Sequence, residues 1–597
     1  MTSGFAMRPA VVKGVLIAAV VFLSAMAMWP SAGGAFVLDD PAYIASNPLI
    51  RDLSPKGVRK IFASTHYGLY KPVTMLSFAL DYRNAGLRPR VYHITNIVLH
   101  SANAALVLLL VLLLTGDSRV AFLCALLFGV HPLHVESVAW ISERKDMLYS
   151  LFFLLSSLFY IKYVTEGSAA GHILSLVCFG LSLMAKPMGL TLPAVLFVYD
   201  YLLGRRFAWR LALEKVFYIL LAGLFGLWTY ALLHSANQLA KGFSLPDRVL
   251  FVFYGLKFYV WKLICPVTLS AMYPFPDKPG GILPLEYWLS PVTVLGCIAL
   301  LFLFFRRSRA VMAGLAFYMI TVAPVLQFVP VGPVITADRY SYIPALGLFL
   351  PLSVYAVRLL AKLREKNIRL AAGVTVCMAL CVITLFFAAR ARCAAWKNNM
   401  TLFSDAVEKY PSFATLRRFA LELHHKQSAD ALAVFNMALK LAGPVRPGTP
   451  RYFEVLDVYI GIGRELYFRK DAATAEKIFR QVYFYAPGYP PALTEIACIE
   501  ADKGNMALAL QLLAHASREP VMKAESFAKM GAIFETQGKY RSAGKFYARA
   551  LELDPSLEDA RIRLAVLLKK TVSGAEERAA GHDMPGSSTA ANHRIGG

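Results

Sequence analysis

Residues 94–114, ITNIVLHSANAALVLLLVLLL, form an apolar run that is long enough to cross a lipid bilayer as a helix. A span needs about 20 apolar residues, because the chain rises only about 1.5 Å per helical residue. A second run, RVAFLCALLFGVHPLH at 119–134, follows after a short polar break. Two such runs in close succession predict an all-α, polytopic membrane domain.

Nine further apolar runs lie on either side of this pair, which brings the predicted number of spans to about eleven. They cover 11–29, 147–164, 172–186, 188–203, 214–233, 288–305, 311–329, 342–360 and 370–389. Composition agrees, because 57% of the residues are hydrophobic, against about 45–50% in soluble proteins. The run 11–29 exceeds the apolar core of a signal peptide, about 7–15 residues long, so we interpret it as an uncleaved span.

The charge distribution indicates a membrane protein and argues against nucleic-acid binding. Lys and Arg outnumber Asp and Glu by 62 to 38, but they form short clusters between apolar runs, as cytoplasmic loops do. We treat the run 249–266, which contains two lysines and ends at Pro266, as interfacial or re-entrant. The loops near Arg205, Arg306 and Lys362 then share the cytoplasmic side with the basic N-terminus. The C-terminal third is therefore predicted to be extracytoplasmic, and periplasmic if the membrane is a bacterial inner membrane.

A helical repeat with a period of 34 residues follows the last apolar run, and it is typical of tetratricopeptide arrays. Its signature residues are Gly531, Ala543, Tyr547 and Ala550, then Ala497, Ala509, Leu513 and Ala516, then Gly463, Ala475 and Phe479. Such an array is an α-solenoid with a concave surface for peptide or protein. We predict a membrane domain at 1–395, a repeat domain at 396–570 and a disordered tail at 571–597. The eight cysteines form no CxxC pair, so we expect neither a metal site nor a disulfide framework.

An acidic pair, Asp39-Asp40, stands directly after the first span. Two adjacent carboxylates at the membrane surface repel each other and lose some hydration, which raises at least one pKa toward the range of a general base. An Asx-type turn or a helix cap before Pro41 is the structural alternative.

The block HPLHVESVAWISERKD, at 131–146, concentrates ionisable groups between two spans on the same predicted face. Such residues at a membrane surface are functional candidates. Mutual caps and ion pairs that hold the turn are the alternative, and they account best for Glu143, Lys145 and Asp146. Further cations stand at the outer ends of spans, where they could bind a lipid phosphate. They are Lys71, Lys186 and Arg339, and Arg339 beside Tyr340 has the planar fork that suits phosphate best.

Taken together, these segments resemble the transmembrane and tetratricopeptide repeat-containing O-mannosyltransferases, in a prokaryotic-type form. The matching segments are Asp39-Asp40 with Asn47, Tyr70 to Pro72, His131 to Asp146, Lys186 to Asp200, Leu269 to Tyr273, Ala337 to Pro344, and Trp396. The departures from the family pattern are Lys71, Lys186-Pro187 and Ala271-Met272-Tyr273.

The resemblance implies a membrane glycosyltransferase of the GT-C fold that transfers a sugar, expected to be mannose, from a polyprenyl-phosphate donor to Ser or Thr hydroxyls of a protein. On this basis we expect Asp40 and Asp39 to serve as the base or to orient the acceptor. Arg339, assisted by Lys186 or Arg144, is expected to bind the donor phosphate. Sugar or acceptor contacts are expected from His131, His134, Glu136, Lys71 and Tyr340. Membrane lipid and a protein acceptor, held by the repeats, are the expected partners.

Two alternatives remain open at this point. A lipid-linked glycan ligase or polymerase would share the polytopic fold and the basic outer face, but its arginines are expected in a late periplasmic loop. A non-enzymatic scaffold that displays the repeats would need only one anchor, and the ionisable block would then have no purpose.

Overall fold

The computed structural model of the chain describes residues 9–580, except 67, 207, 236–242, 277, 279–280, 330–331, 444, 446, 520–521 and 555–556. The described residues are mainly helical, which confirms the predicted all-α class. Two short strands, β1 (Tyr273–Pro274) and β2 (Val334–Thr336), pair antiparallel with Tyr273 opposite Thr336. The chain divides after Lys426 into two compact units.

The first unit contains the apolar helices and the short helices that join them. In chain order they are α1 (Pro9–Met28), α2 (Pro55–Ala63), α3 (Pro72–Ala85), α4 (Pro89–Thr115), α5 (Ser118–Val130), α6 (Val135–Ala139), α7 (Arg144–Glu166), α8 (Ala169–Ala185), α9 (Leu192–Leu202), α10 (Trp209–Leu213), α11 (Val216–Ser235), α12 (Leu245–Ile264), α13 (Leu285–Phe305), α14 (Arg309–Val322), α15 (Ala345–Lys366), α16 (Ile368–Cys393), α17 (Asn399–Lys409) and α18 (Phe413–His425).

Each of the eleven predicted runs is helical, but not all are long enough to span. Seven described helices have the length and apolar character of a span, and α5 with α6 makes an eighth if this bent pair counts as one. The other three runs form shorter apolar helices, Ala169–Ala185, Pro187–Leu202 and Arg309–Val325. Pro187 limits two of them, because its ring cannot continue the helix that ends at Ala185. The chain is thus a multi-pass membrane protein with fewer full-length spans than predicted.

Helix α12 is the run that we predicted to be interfacial or re-entrant, and it is absent from the candidate spans among the described residues. Asp247, near its start, forms an ion pair with Lys278 at 2.8 Å. Near its end, the Leu263 carbonyl accepts a hydrogen bond from His131 Nε2 at 3.1 Å. The two ends of α12 therefore contact Lys278 and His131, which lie in connecting segments.

Tight helix contacts and buried ion pairs stabilise the first unit. Helices α14 and α15 meet at two glycines, and a Cβ on Gly314 would lie 2.3 Å from the Gly347 carbonyl oxygen. Ahead of α11, the buried Lys215 pairs with Asp200 of α9 at 2.6 Å. Arg205 adds a second bond to Asp200 at 2.9 Å. These partners neutralise charges that would be costly to bury alone.

The second unit consists of eight described helices that pack in chain order. They are α19 (Ala431–Lys440), α20 (Pro450–Phe468), α21 (Ala472–Tyr485), α22 (Pro490–Asp502), α23 (Met506–Ala516), α24 (Lys523–Thr536), α25 (Tyr540–Leu553) and α26 (Glu558–Ala580).

Small residues allow close contact between these helices at the positions that the repeat pattern selects. A Cβ on Gly463 would lie 2.3 Å from the ring of Phe479, and one on Gly531 would lie 2.8 Å from Tyr547. Ala475 and Ala543 are fully buried. The packing fits a tetratricopeptide array, and that identification stays a prediction. Of the predicted tail, residues 571–580 continue α26, and 581–597 lie outside the described residues.

Candidate active site

A tight turn after α1 places the two aspartates in different environments. The Asp40 N–H donates to the Val37 carbonyl at 2.9 Å. The Asp40 side chain is fully buried and accepts from Val37 N at 3.0 Å, from Ser142 N at 2.7 Å and from the Ser142 hydroxyl. Asp39, in contrast, is exposed. The buried member therefore fixes the turn to residue 142, while the exposed member is open to solvent.

Burial changes the acidity of Asp40. Loss of hydration raises the pKa of its carboxyl to about 7, although the hydrogen bonds from Ser142 and Val37 act in the opposite direction. The expected rise in pKa thus occurs at Asp40, and burial contributes more to it than repulsion by Asp39 does. The structural alternative, a turn held by a carboxylate, also describes Asp40.

Three cations surround the buried carboxylate of Glu143. Lys145 Nζ lies 2.9 Å from its Oε1, Lys186 Nζ lies 3.4 Å from Oε2 and Arg339 Nε lies 3.4 Å from Oε1. Lys186 also forms an ion pair with Asp146. We call the three cations with Glu143 the cation cluster. It unites residues from three distant parts of the sequence in one partly accessible site.

Arg339 is held in place by charge and by aromatic rings. Its guanidinium forms an ion pair with Glu136, whose other oxygen accepts from the Arg339 backbone N–H at 2.9 Å. The guanidinium also lies over the rings of Trp140 and Tyr340, 5.2 Å and 4.7 Å from their centroids. Its side chain remains 13% exposed. Glu136, Arg339 and Tyr340 therefore lie together, and the arginine keeps access to a ligand.

Lys71 lies next to the cation cluster and shares the ring of Tyr43 with Lys145. It is buried, donates to the Tyr43 hydroxyl and lies 4.5 Å from the centre of that ring. Lys145 lies 5.4 Å from the same centre. Burial and the nearby Lys145 charge lower the pKa of Lys71 well below its usual range. Tyr43 thus links the segment that follows the acidic pair with the cation cluster.

Arg144 lies outside this cluster, contrary to what we expected of a phosphate ligand. The side chain is fully buried and pairs with Asp81 at 2.6 Å. It also donates to Asn96 Oδ1 at 2.8 Å, to the Tyr92 carbonyl at 2.8 Å and to the Ser77 hydroxyl at 3.1 Å. With its donors engaged by the protein, Arg144 serves to fix the start of α7.

The two predicted histidines are also engaged inside the protein. His131 donates to the Leu263 carbonyl, and His134 Nδ1 lies 2.7 Å from the Phe128 carbonyl oxygen. Both side chains are buried. Their contacts support the turn between α5 and α6.

Several residues of the site were missed or assigned only to the structural alternative. Lys145 and Glu143 were interpreted as turn-holding ions, and Tyr43 and Ser142 were not selected. The sequence signal for these residues was their position, since Tyr43 follows the acidic pair closely and Ser142 precedes Glu143.

Asp338, next to Arg339, is buried and accepts a hydrogen bond from the Tyr273 hydroxyl at 2.7 Å. Its burial raises its pKa to about 7.

The role of Arg144 can be tested by stability. We expect Arg144→Met to destabilise the protein by about 3–5 kcal/mol, because it leaves the Asp81 carboxylate without its buried partner. Thermal unfolding of the full-length protein in lipid nanodiscs would measure the change. Arg119→Met is the matched control, since Arg119 pairs with Asp117 at 2.9 Å but is 68% exposed. An unchanged midpoint for Arg144→Met would contradict this structural role.

Comparison with curated proteins places this site in context. The chain is 35% identical over 244 residues to protein O-mannosyl-transferase TMTC2 of Homo sapiens, covering 36% of this chain and 29% of that protein. It is 26% identical to TMTC4 of Homo sapiens, with coverage of 63% and 59%, and 25% identical to TMTC3 of Mus musculus, with coverage of 92% and 65%. The chain thus spans less than two thirds of each relative. These matches confirm the predicted resemblance. No protein-family model matches the chain.

Proposed function

From its homology to the protein O-mannosyl-transferases, we propose that this chain is a membrane glycosyltransferase that transfers mannose from a polyprenyl-phosphate donor to Ser or Thr hydroxyls of protein acceptors. The observation that carries the proposal is the arrangement of the site. An exposed carboxylate, Asp39, lies in the turn that comes after α1, and its buried neighbour Asp40 is bonded to Ser142, one residue before Glu143 of the cation cluster. Base and phosphate-binding cations are therefore close together at the ends of apolar helices.

In the proposed reaction, Asp39 accepts the proton of the acceptor hydroxyl as its oxygen attacks the anomeric carbon. The bond between that carbon and the phosphate oxygen breaks, and its electron pair leaves with the polyprenyl phosphate. Asp39 later releases the proton to water. Asp40 does not take part in the proton transfer, because its oxygens are occupied by Ser142 and Val37.

The leaving phosphate gains negative charge, so cations held in place beforehand would stabilise the transition state. We assign this role to Arg339, Lys186 and Lys145. Lys145 takes the place of Arg144, which we had expected to bind the phosphate. Glu143 holds the three cations together when no phosphate is bound, and a phosphate would compete with it for their donors. Tyr340 and Lys71 remain candidates for sugar or acceptor contacts, and Glu136 orients Arg339. His131 and His134 are left out, because their ring contacts are internal.

The direct experiment uses the purified full-length chain in lipid nanodiscs, with polyprenyl-phosphate mannose and a Ser/Thr-containing peptide. We expect one hexose on a Ser or Thr of the peptide by mass spectrometry. Secreted glycoproteins from cells without the gene should lack one hexose that is present on the same proteins from matched cells with the gene. Oligosaccharides that accumulate on the lipid, with none on the peptide, would instead indicate a lipid-linked glycan ligase or polymerase.

We further propose that the site and the repeats lie on the extracytoplasmic side. The support is the basic composition of the connections at the opposite helix ends, such as 205–210 and 306–309. A cysteine at Lys56 should react with an impermeant thiol reagent in intact cells, and a cysteine at Arg307 should not. Both positions are exposed, so access would depend on the side of the membrane. If the two cysteine variants are labelled equally, and both more strongly than the parent chain, the assignment of the extracytoplasmic side is overturned.

We also propose that the repeats capture the protein acceptor. A chain that ends after Lys426 should keep its transfer to a concentrated short peptide but lose about 10²-fold or more toward a folded protein acceptor, because the local acceptor concentration falls. Initial rates with the two acceptors would measure the effect. Equal rates for the truncated and intact chains with the folded acceptor would exclude this role.

A further inference from the structure

After its last apolar helix, α16, the chain returns to the turn that contains Asp39 and Asp40. We call this turn the acidic turn. The Leu38 backbone N–H donates to Asn399 Oδ1 at 3.0 Å. The Ala35 N–H donates to the Lys397 carbonyl at 2.8 Å. Asn399 is the first residue of α17, more than 350 positions further along the sequence than the turn that it contacts. The residue immediately before Asp39 is thus held by a side chain from outside the apolar helices.

Leu38 needs this support because of its backbone conformation. Its φ is 52°, in the left-handed region, where the Cβ of an L-residue crowds the backbone oxygen. A leucine released from its contacts would therefore favour a negative φ. That change would rotate the following peptide unit and redirect the Asp39 side chain away from its present exposed position.

Asn399 is itself fixed at both ends of its amide. While its oxygen accepts from Leu38, its Nδ2 donates to Glu422 Oε1 of α18 at 3.0 Å. This pattern also fixes the orientation of the amide, since the reversed group would lose both bonds. The neighbouring Asn398 has a different function, because its side chain caps α17 by accepting from Thr401 N at 3.0 Å.

The adjacent segment also contacts the aromatic support of the cation cluster. Trp396 is buried and stacks on Trp140 with ring centroids 5.9 Å apart. Trp140 in turn lies under the Arg339 guanidinium. Residues 396–399 therefore support both parts of the proposed site, and only Asn399 bonds to the strained residue itself.

We infer that Asn399 is a positioning residue that holds Leu38 in its left-handed conformation and thereby directs Asp39 toward the acceptor. This inference rests on the proposed transferase function. It adds to the site a residue that lies outside the apolar helices, at the start of α17. It makes a specific prediction about strain, because glycine adopts a positive φ without a penalty. Loss of the Asn399 contact should consequently matter much less when residue 38 is glycine.

The kinetic test uses the full-length chain with polyprenyl-phosphate mannose and a Ser/Thr peptide. We expect Asn399→Ala to lower kcat about tenfold or more, since small displacements of a reacting group are costly, with an unchanged KM for the donor. Leu38→Gly alone should be near the parent. The double variant Asn399→Ala/Leu38→Gly should recover most of the lost kcat. Asn398→Ala is the control for loss of helix α17 structure and should not reproduce this pattern.

A second measurement does not depend on activity. Hydrogen exchange at the Leu38 amide should be slow in the parent and in Asn398→Ala, and fast in Asn399→Ala. If the parent transfers no mannose but exchange depends on Asn399, the transferase proposal fails and the contact stands. If Asn399→Ala keeps normal exchange or normal kcat, the positioning role is overturned. It is also overturned if the kcat loss persists in the double variant.

Discussion

Asp39→Asn should lower kcat by about 10²–10⁴-fold, the usual contribution of a general base. The amide has nearly the same size but cannot accept the hydroxyl proton. Because Asp39 is exposed, its replacement should leave the fold and donor binding largely unchanged. Single-turnover transfer to a Ser/Thr peptide would measure the rate, and binding of polyprenyl phosphate would provide the check on the donor site.

Asp40→Asn is the informative comparison for the acidic pair. The buried Asp40 carboxylate accepts from three donors through both of its oxygens. An asparagine has only one acceptor oxygen, so at least one buried N–H or O–H would lose its partner, at a cost of about 1–3 kcal/mol. We therefore expect Asp40→Asn to lower the unfolding midpoint and to retain more transfer than Asp39→Asn. The opposite order of activities would assign the base to Asp40.

Arg339→Lys should lower kcat by about 10²–10³-fold although the positive charge is kept. An ammonium cannot reproduce the planar fork that contacts Glu136 and Glu143 and stacks over Trp140. We expect the loss in single-turnover rates with saturating donor, since the stabilisation is needed most as the phosphate leaves.

The matched control for this substitution is Arg307→Lys, an exposed arginine between α13 and α14. It should leave the rate unchanged. A further arm uses Lys186→Arg, which keeps the charge but changes its shape beside Asp146. Normal single-turnover transfer by Arg339→Lys would reduce Arg339 to a structural ion that holds Glu136, and the phosphate would then have to be bound by the two lysines.

Apolar periodicity was sufficient to predict the helical content and the position of every long apolar helix. It did not determine which of them are long enough to span the membrane, because the runs 172–186 and 188–203 form only the shorter helices Ala169–Ala185 and Pro187–Leu202. The residues of the acidic turn, Glu136, Lys186 and Arg339 were selected from their positions next to predicted spans, and the structure brings them close together.

The roles of individual residues within the block 131–146 were less predictable. Glu143, Arg144 and Lys145 are consecutive, yet Glu143 and Lys145 pair with each other while Arg144 pairs with Asp81. Neighbouring side chains on a helical turn point in different directions, so their partners depend on helices far away in the sequence. The contact between Leu38 and Asn399 has the same origin and leaves no local pattern.

The buried pair of Asp200 and Lys215 has a consequence for how the protein is made. Asp200 lies near the end of α9, whereas its partner directly precedes α11, which emerges later from the ribosome. A carboxylate is unfavourable in lipid, and Arg205, which is synthesised before α11, can already pair with Asp200. Lys215 completes the neutralisation once the start of α11 has been made. The two helices are therefore expected to reach their final packing together, and a variant without Lys215 should slow the packing of α9 against α11.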